Sequence, residues 1–210
     1  MAEIIGLFPI PIMSNEFGRG FTEAELNIIH GCRNKTIRTG GEGTSNEVSF
    51  ENRILDNPGL SDIRRFIEEN INLYVDNVEV PNPKFETYIT HSFVTFTERG
   101  KEHKKHLHSN SFISGILYIS AERETDQICF YNNNYAHVNK FPDFEKDSNQ
   151  YNCSCWYMPV YTGRLLIFPS NIEHSVSVLE SDHTRISLVF NTFIRGDIGV
   201  KMTLNDLSLR

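Results

Sequence analysis

The segment HKKHLH, residues 103–108, concentrates three of the chain's eight histidines in six positions. Imidazole nitrogens are good ligands for iron, zinc, copper and nickel. In an extended chain, residues two apart point to the same face, so His106 and His108 can chelate one ion. A third ligand has to come from a distant strand, and the candidate is His174, at a predicted turn-to-strand junction. The pattern therefore predicts a metal centre formed by His106, His108 and His174.

Arg185 opens the apolar segment RISLVFN, and Ser187 follows it two positions later. A guanidinium that faces the interior of a β structure is costly unless an anion pairs with it. Arginine binds a carboxylate through two parallel hydrogen bonds, and Ser187 shares its face of the strand. A metal centre beside such a clamp is what a 2-oxoglutarate oxygenase needs. That ketoacid chelates iron at one end and carries a second carboxylate at the other.

Each of these residues also has a simpler explanation. His106 and His108 fit a solvated basic loop, and His174 alone fits a core histidine at the start of a strand. Arg185 fits an exposed edge charge. The coincidence of all four favours the metal site. The remaining histidines are predicted at the surface (His103, His137 and His183), in the first helix (His30) and facing either the site or solvent (His91).

The elements that must position these residues change character along the chain. Thr22 and Glu25 form a capping-box pattern that predicts a short helix to about residue 33. Apolar residues at intervals of three and four predict a second helix over 59–78, and residues 36–50 are predicted to be a loop. From residue 85 onward, β-branched and aromatic runs predict short strands, at 85–98, 114–120, 127–132, 163–170, 174–180 and 184–194.

This order, helices first and then strands, predicts an α+β, mainly β fold. We expect a jelly roll as a single domain over 1–210. Residues 1–83 would be a helical support and residues 84–210 the jelly-roll core. An insertion at 133–160 contains Cys153, Cys155 and Trp156. We expect these side chains to serve in packing; the alternative is a lid over the site.

Composition excludes several classes of function. The net charge of −7 and the lack of a basic run disfavour a nucleic-acid binder. No apolar run approaches the roughly 18 residues that a membrane-spanning helix needs. Four cysteines in 210 residues are predicted to be free thiols, not a disulfide framework. We therefore expect a soluble, cytoplasmic protein, with a homodimer as the default assembly.

Three sequence blocks resemble those of a family of 2-oxoglutarate- and Fe(II)-dependent oxygenases found in phages and marine bacteria. They are HLHSNSFISGILYIS, GRLLIFPSNIEHSV and RISLVFN, in this order within residues 103–191, with a weaker similarity in the opening LFPIPI. The resemblance implies a double-stranded β-helix with Fe(II) near its mouth, held at His106, His108 and His174. It implies 2-oxoglutarate bound by Arg185 and Ser187, with Tyr118 adding a hydroxyl contact. Asn191 shares their face and is expected to point into the barrel, where it would contact the cosubstrate.

One departure from the family pattern bears on the metal. The usual triad is two histidines and one carboxylate, and here His108 stands where the acid is expected. Either three histidines bind the ion or the register differs. In a different register His103 would replace His106, or Asn110 would follow His108 as a ligand.

The favoured hypothesis is a dioxygenase that hydroxylates an unidentified substrate and decarboxylates 2-oxoglutarate to succinate, with O2 as the other cosubstrate. That substrate could be a protein side chain, a nucleotide or a metabolite, held near residues 36–50 and 133–160. The alternatives are a cupin-like three-histidine dioxygenase that uses no ketoacid, and a non-catalytic jelly-roll module of a virus. The first alternative gives Arg185 no task, and the second predicts no metal dependence.

Overall fold

The computed structural model describes residue 6 and residues 9–39, 46–81, 85–132, 149 and 153–210. His137 and most of the predicted insertion lie outside these residues. Within the described part, no helix is long and apolar enough to cross a membrane.

Two α-helices lie near the start of the described chain, where the sequence predicts them. Helix α1, Glu23–Gly31, begins at the expected capping box: the Glu25 amide donates to Thr22 Oγ1, and the Glu25 carboxylate accepts from the Thr22 amide. A 3-10 turn, Cys32–Asn34, continues it. Helix α2, Ser61–Tyr74, follows the 3-10 turn Pro58–Leu60 and runs into a π turn, Val75–Glu79. Both helix predictions are confirmed.

The strands outnumber those predicted. They are β1 Met13–Glu16, β2 Thr36–Thr39, β3 Asn46–Ser49, β4 Glu86–Thr97, β5 His103–His106, β6 Ile113–Ser120, β7 Gln127–Tyr131, β8 Cys155–Pro159, β9 Arg164–Pro169, β10 His174–Val176, β11 Arg185–Ile198 and β12 Leu207–Leu209. The prediction of a loop over 36–50 is wrong, because β2 and β3 pair with each other and β3 pairs with β4.

The described strands form two antiparallel sheets. The larger has the order β1-β9-β6-β11-β4-β3-β2, with β12 paired to the end of β11. The smaller has the order β5-β10-β7-β8. The smaller sheet carries the histidine segments on β5 and β10, and the larger carries Arg185 on β11.

Period-two alternation on the central strands separates two cores. On β6, Leu117 packs in the layer that contains the α2 side chains Ile63 and Ile67, and its neighbours Ile116 and Tyr118 belong to the other core. That second core also contains side chains from the smaller sheet, Ile128, Phe130 and Val176. The space between the sheets is therefore where polar residues of both can meet.

Gly115 allows the central strands to approach. A Cβ atom there would lie 2.2 Å from the Phe190 ring and 2.8 Å from the Leu166 carbonyl oxygen. The close packing of β6 against its neighbouring strands therefore requires a glycine at this position of the SGILYIS block.

Candidate metal centre

Three histidines meet where the ends of β5 and β10 lie side by side. His106 is paired with His174 in the β5–β10 register, and His108 follows β5 by two residues. One ligand atom from each of the three imidazoles lies within 4.8 Å of the others. His174 is buried and the other two are partly buried. The structure thus brings together the three residues that the sequence singled out.

Each of the three rings has its Nδ1 atom held by an oxygen. The acceptors are the Ile172 carbonyl for His174 at 3.1 Å, the Lys104 carbonyl for His106 at 2.7 Å, and Asn191 Oδ1 for His108 at 2.5 Å. Carbonyl and amide oxygens only accept, so each Nδ1 donates. In a neutral ring the proton on Nδ1 leaves the Nε2 lone pair for an ion. The three rings therefore present metal-binding nitrogens.

Burial keeps these imidazoles neutral. It lowers the pKa of His174 to about 3, with His106 contributing further repulsion. Burial also lowers the pKa of His106 and of His108 below the ordinary value. A neutral ring is the form that binds a metal ion, so the site needs no proton release near neutral pH.

His103 does not lie at the surface as predicted. Its ring is partly buried and stacks on that of His106, with centroids 4.1 Å apart and planes 12° apart. Burial and the neighbouring imidazoles lower its pKa to about 3. The period of the extended strand does not reveal this packing, since His103 and His106 are three residues apart.

Arg185 is inward-facing, as predicted, but it already has an anionic partner. Its side chain is 2% exposed, and Nη1 donates to Asp126 Oδ1 at 2.9 Å. The other carboxylate oxygen of Asp126 accepts from the Glu122 amide at 2.9 Å and lies 2.8 Å from His183 Nε2. His183 is thus partly buried within a polar network, and its prediction as a surface residue is wrong. Sequence reasoning missed Asp126, an acid directly before β7.

Two buried hydroxyl groups near Arg185 have no hydrogen-bond partner among the described residues: Tyr118 Oη and Ser177 Oγ. Arg185 Nη2 donates to the Ser177 carbonyl at 3.4 Å, and the charge of Arg185 acts on the Tyr118 hydroxyl. Ser187 is buried and lies opposite Tyr118 in the β6–β11 register. A guanidinium and unpaired hydroxyls are a donor set that suits a carboxylate.

Asn191 lies at the metal end of the site. Its Oδ1 atom also accepts from Ser114 Oγ at 2.8 Å, and Ser114 Oγ lies 2.7 Å from Ser170 Oγ. Both serines belong to the motif blocks, but their shared role with Asn191 was not anticipated. Two other residues face away: His91 is exposed, and Asn110 is exposed with a positive φ of 54°.

Comparison with known proteins shows what the segment that contains these residues resembles. Residues 91–191 match the family model described as "Putative 2OG-Fe(II) oxygenase". This segment spans the three histidines, Arg185 and Asn191. Over this segment the chain is similar to the 2OG-Fe(II) oxygenase family. The enzymes of this family are oxidoreductases that use Fe(II), 2-oxoglutarate and O2. The comparison with curated proteins found no match to this chain.

Solved structures confirm the fold of this chain. SnoN, a non-heme α-ketoglutarate-dependent epimerase from nogalamycin biosynthesis, superposes with a TM-score of 0.60 at 10% identity, covering 88% of this chain and 78% of its own. A Pseudomonas putida prolyl-4-hydroxylase gives 0.54 at 13% identity, with 87% and 92% covered. HygX from Streptomyces hygroscopicus, with iron bound, gives 0.53 at 13% identity, with 87% and 82% covered. The predicted double-stranded β-helix is therefore confirmed.

Proposed function

We propose that the protein is an Fe(II)- and 2-oxoglutarate-dependent dioxygenase in which His106, His108 and His174 hold the metal. The observation that carries this proposal is the convergence of three imidazoles, each fixed through Nδ1 and each without a hydrogen bond at Nε2 in the described part of the chain. Such fixation by carbonyl and amide oxygens is how proteins orient metal-binding histidines. His103, stacked behind His106, supports that ring and is not needed as a ligand.

The second part of the proposal is a carboxylate site at Arg185, with Ser187 and Tyr118. The unpaired, buried hydroxyl of Tyr118 supports it, because an unsatisfied polar group in a protein interior costs free energy until a partner arrives. Ser177 contributes a second unpaired hydroxyl that the sequence did not suggest. Asn191, predicted to contact the cosubstrate, has its oxygen on His108, and we propose that it orients that ligand.

With Fe(II) bound, 2-oxoglutarate and O2 together supply the oxidising chemistry, and the ketoacid is decarboxylated to succinate. This chain's own residues have simpler tasks. Arg185 and the hydroxyls fix one end of the cosubstrate, and the histidines fix the ion. The apolar side chains Phe130 and Phe168, packed beside His174, keep water from the buried side of the site.

The charge of the site agrees with an anionic cosubstrate. Three neutral ligands leave Fe(II) more positive than the usual two histidines and a carboxylate. A dianionic ketoacid offsets that difference. The HygX structure with nickel, 2-oxoglutarate and hygromycin B, and the SnoN structure with Fe3+ and α-ketoglutarate, show such cosubstrates bound on the same fold.

A second candidate function has one observation in its favour. Arg185 is already paired with Asp126, so the guanidinium does not depend on a ketoacid for its charge balance. A three-histidine dioxygenase without a ketoacid would use Arg185 and Asp126 as a structural pair. This candidate leaves the buried Tyr118 and Ser177 hydroxyls without a partner, which is why we place it second.

One titration distinguishes the two candidates. Under anaerobic conditions, Fe(II) is added to the protein, and 2-oxoglutarate is titrated while the weak visible charge-transfer band of the chelate is followed. We expect a band in the wild type and a weakened response in Arg185→Lys, which keeps the charge but loses the two-pronged geometry. Arg195→Lys, at an exposed ion pair with Glu86, is the matched control. Iron binding without any band would support the second candidate.

The assignment of the ligands has its own test. His108→Ala and His174→Ala should each lose most of the affinity for Fe(II), measured by competition with a coloured chelator. His91→Ala, an exposed histidine of the same chain, should bind normally. If His108→Ala binds iron as tightly as the wild type, the ligand set is wrong.

The primary substrate, a protein side chain, a nucleotide or a metabolite, is proposed to approach near residues 36–50 and 133–160. Trp156 and Tyr157 on β8 support this location because they are exposed aromatic side chains on the sheet that carries the histidines. We also propose a cytoplasmic location, supported by the absence of a disulfide among the four cysteines, all of which lie in the described residues.

A further inference from the structure

A series of hydrogen bonds connects the protein surface to the buried guanidinium of Arg185. One oxygen of the Asp126 carboxylate accepts from Arg185 at 2.9 Å, and the other lies 2.8 Å from His183 Nε2. The side chains of Asp126 and Arg185 are 0% and 2% exposed, whereas that of His183 is 17% exposed. Of these three groups, His183 is therefore the one that exchanges protons with water most readily.

The contacts of His183 fit a neutral ring and also a charged one. The Asp126 carboxylate only accepts, so His183 Nε2 donates to it in both states. In the neutral ring Nδ1 accepts from the Ser181 hydroxyl, 2.8 Å away. In the charged ring Nδ1 donates, and it can do so to the Ser181 oxygen or to a Glu122 carboxylate oxygen at 3.5 Å. The ring can therefore gain a proton and keep its place beside Asp126.

The charged side chains that face His183 come from the connection between β6 and β7 and from the start of β11. They are Asp126, Glu122 and Arg185. Two other acids of this region are already engaged: Asp182 pairs with Arg99 at 2.6 Å, and Glu98 accepts from Arg33 and from the Thr184 hydroxyl. Protonation of His183 therefore changes the buried group formed by His183, Asp126 and Arg185 from neutral to positively charged.

We propose that His183 is a positioning residue for the cosubstrate, and that its protonation strengthens the binding of a 2-oxoglutarate carboxylate to Arg185. This inference rests on the proposed function of Arg185. While the ring is neutral, Asp126 balances the guanidinium and repels an incoming carboxylate. When the ring is charged, Asp126 is shared between two cations, and the cluster attracts an anion. The attraction is strong because the site is buried.

The guanidinium has the hydrogen-bond donors that a second carboxylate needs. In the described part of the chain, Asp126 accepts from Nη1 of Arg185, and Nη2 has only a long contact of 3.4 Å with the Ser177 carbonyl. A guanidinium carries five N–H donors, so several are available to a ligand. The ion pair with Asp126 is thus compatible with a cosubstrate site, and His183 determines how strongly that pair opposes the ligand.

Isothermal titration calorimetry of the Fe(II)-loaded protein, without oxygen, tests the proposal. 2-Oxoglutarate is titrated at about pH 6 and about pH 7.5, which bracket the range where imidazole gains a proton. Buffers of different ionisation enthalpy report the protons taken up on binding. We expect a dissociation constant about fivefold lower at the lower pH, since coupling between two sites is typically 5- to 150-fold. Linkage then requires net proton uptake when 2-oxoglutarate binds.

A substitution of His183 assigns the proton to this ring. His183→Gln keeps an N–H donor for Asp126 but takes up no proton. It should bind 2-oxoglutarate equally at both pH values, with the weaker affinity of the wild type and without proton uptake. His91→Gln, at an exposed histidine, is the matched control and should keep the wild-type pH dependence. A purely structural role of His183 would instead weaken binding by the same factor at both pH values.

The possible results separate this inference from the proposed function. Binding of 2-oxoglutarate to the wild type without proton uptake would overturn only the role of His183, and this measurement does not require any variant to fold. Equal proton uptake by the wild type and His183→Gln would also overturn that role. A wild type that binds no 2-oxoglutarate at either pH would overturn the proposed function, and this inference with it.

Discussion

Asn191 shows how much of the proposed metal centre depends on a side chain that does not touch the ion. Its Oδ1 atom accepts from His108 Nδ1, which fixes the ring of one ligand. The same atom accepts from Ser114 Oγ, which holds the Asn191 side chain in place. Asn191→Ala would leave His108 free to rotate or to change tautomer. We expect Fe(II) affinity to fall about 10- to 100-fold, measured by chelator competition. Asn191→Asp keeps an acceptor at this position and should retain more affinity, and equal affinities for the wild type and Asn191→Ala would contradict the orienting role.

Asp126 sets the charge that a cosubstrate meets at Arg185. Asp126→Asn keeps the shape and an acceptor oxygen but removes the negative charge from a buried pair, which typically costs about 3–5 kcal/mol of folding free energy. A carboxylate ligand would then be the missing counter-charge. We therefore expect 2-oxoglutarate, added with Fe(II) under argon, to raise the melting temperature of Asp126→Asn more than that of the wild type. Equal shifts would show that Asp126 does not oppose the cosubstrate.

Sequence alone could identify the residues whose role is indicated by their spacing to nearby residues. His106 and His108 share a face of an extended chain, and the run RISLVFN makes an inward Arg185 conspicuous. Asp126 gives no such signal, because its partner is 59 residues away and only the approach of β7 and β11 brings them together. The stacking of His103 on His106 likewise depends on how β5 packs, not on its sequence period.

At the scale of elements, the strands with strong apolar patterns were predictable and the polar ones were not. Strands β6 and β9, and β11 as far as Phe190, are rich in Ile, Leu, Val and Phe because they are buried on both faces. The segments MSNE, TIRT, NEVS and HKKH form strands of four residues each. They carry too few apolar residues for a period-two signal, and their pairing partners determine that they are strands.

Gly115 links a sequence block to the spacing of the central strands. We expect Gly115→Ala to destabilise the fold by about 1–3 kcal/mol, because the added methyl group would overlap the Phe190 ring and the Leu166 carbonyl. Urea unfolding measures this loss. Gly20→Ala is the matched control, since nothing lies within 4 Å of its added Cβ and its φ is not positive. If both variants unfold at the same urea concentration, β6 has room that the structure does not show.

On the scale of the whole molecule, each of the two sheets supplies part of the proposed site. The smaller sheet supplies His106 and His174, and β11 of the larger sheet supplies Arg185 and Asn191. The site therefore exists only when the sheets are packed face to face. This arrangement places several imidazoles in the protein interior, which makes the stability of the metal-free protein depend on pH.

The extent of the domain, 1–210, stays a prediction.

The metal-free protein should lose stability as the pH falls from about 6.5 towards 3. Burial lowers the pKa of His103 and His174 to about 3, and it lowers those of His106 and His108 as well. In the unfolded chain these rings titrate near 6.5, so in this window the unfolded state binds protons that the folded state excludes. Each excluded proton costs about 1.4 kcal/mol per pH unit.

Urea unfolding in the presence of a chelator, at pH values between 5 and 7, measures this dependence. Between pH 5 and 7 the histidines change stability and Glu25 does not. The pKa of Glu25 is lowered from 4.5 to about 2, so this carboxylate affects stability only below about pH 4.5. His103→Phe keeps an apolar ring against His106 and removes one titrating group, so its unfolding free energy should depend less steeply on pH than that of the wild type. Identical slopes for the two proteins would mean that His103 is protonated in the folded state, and the close stacking of His103 on His106 would then be wrong.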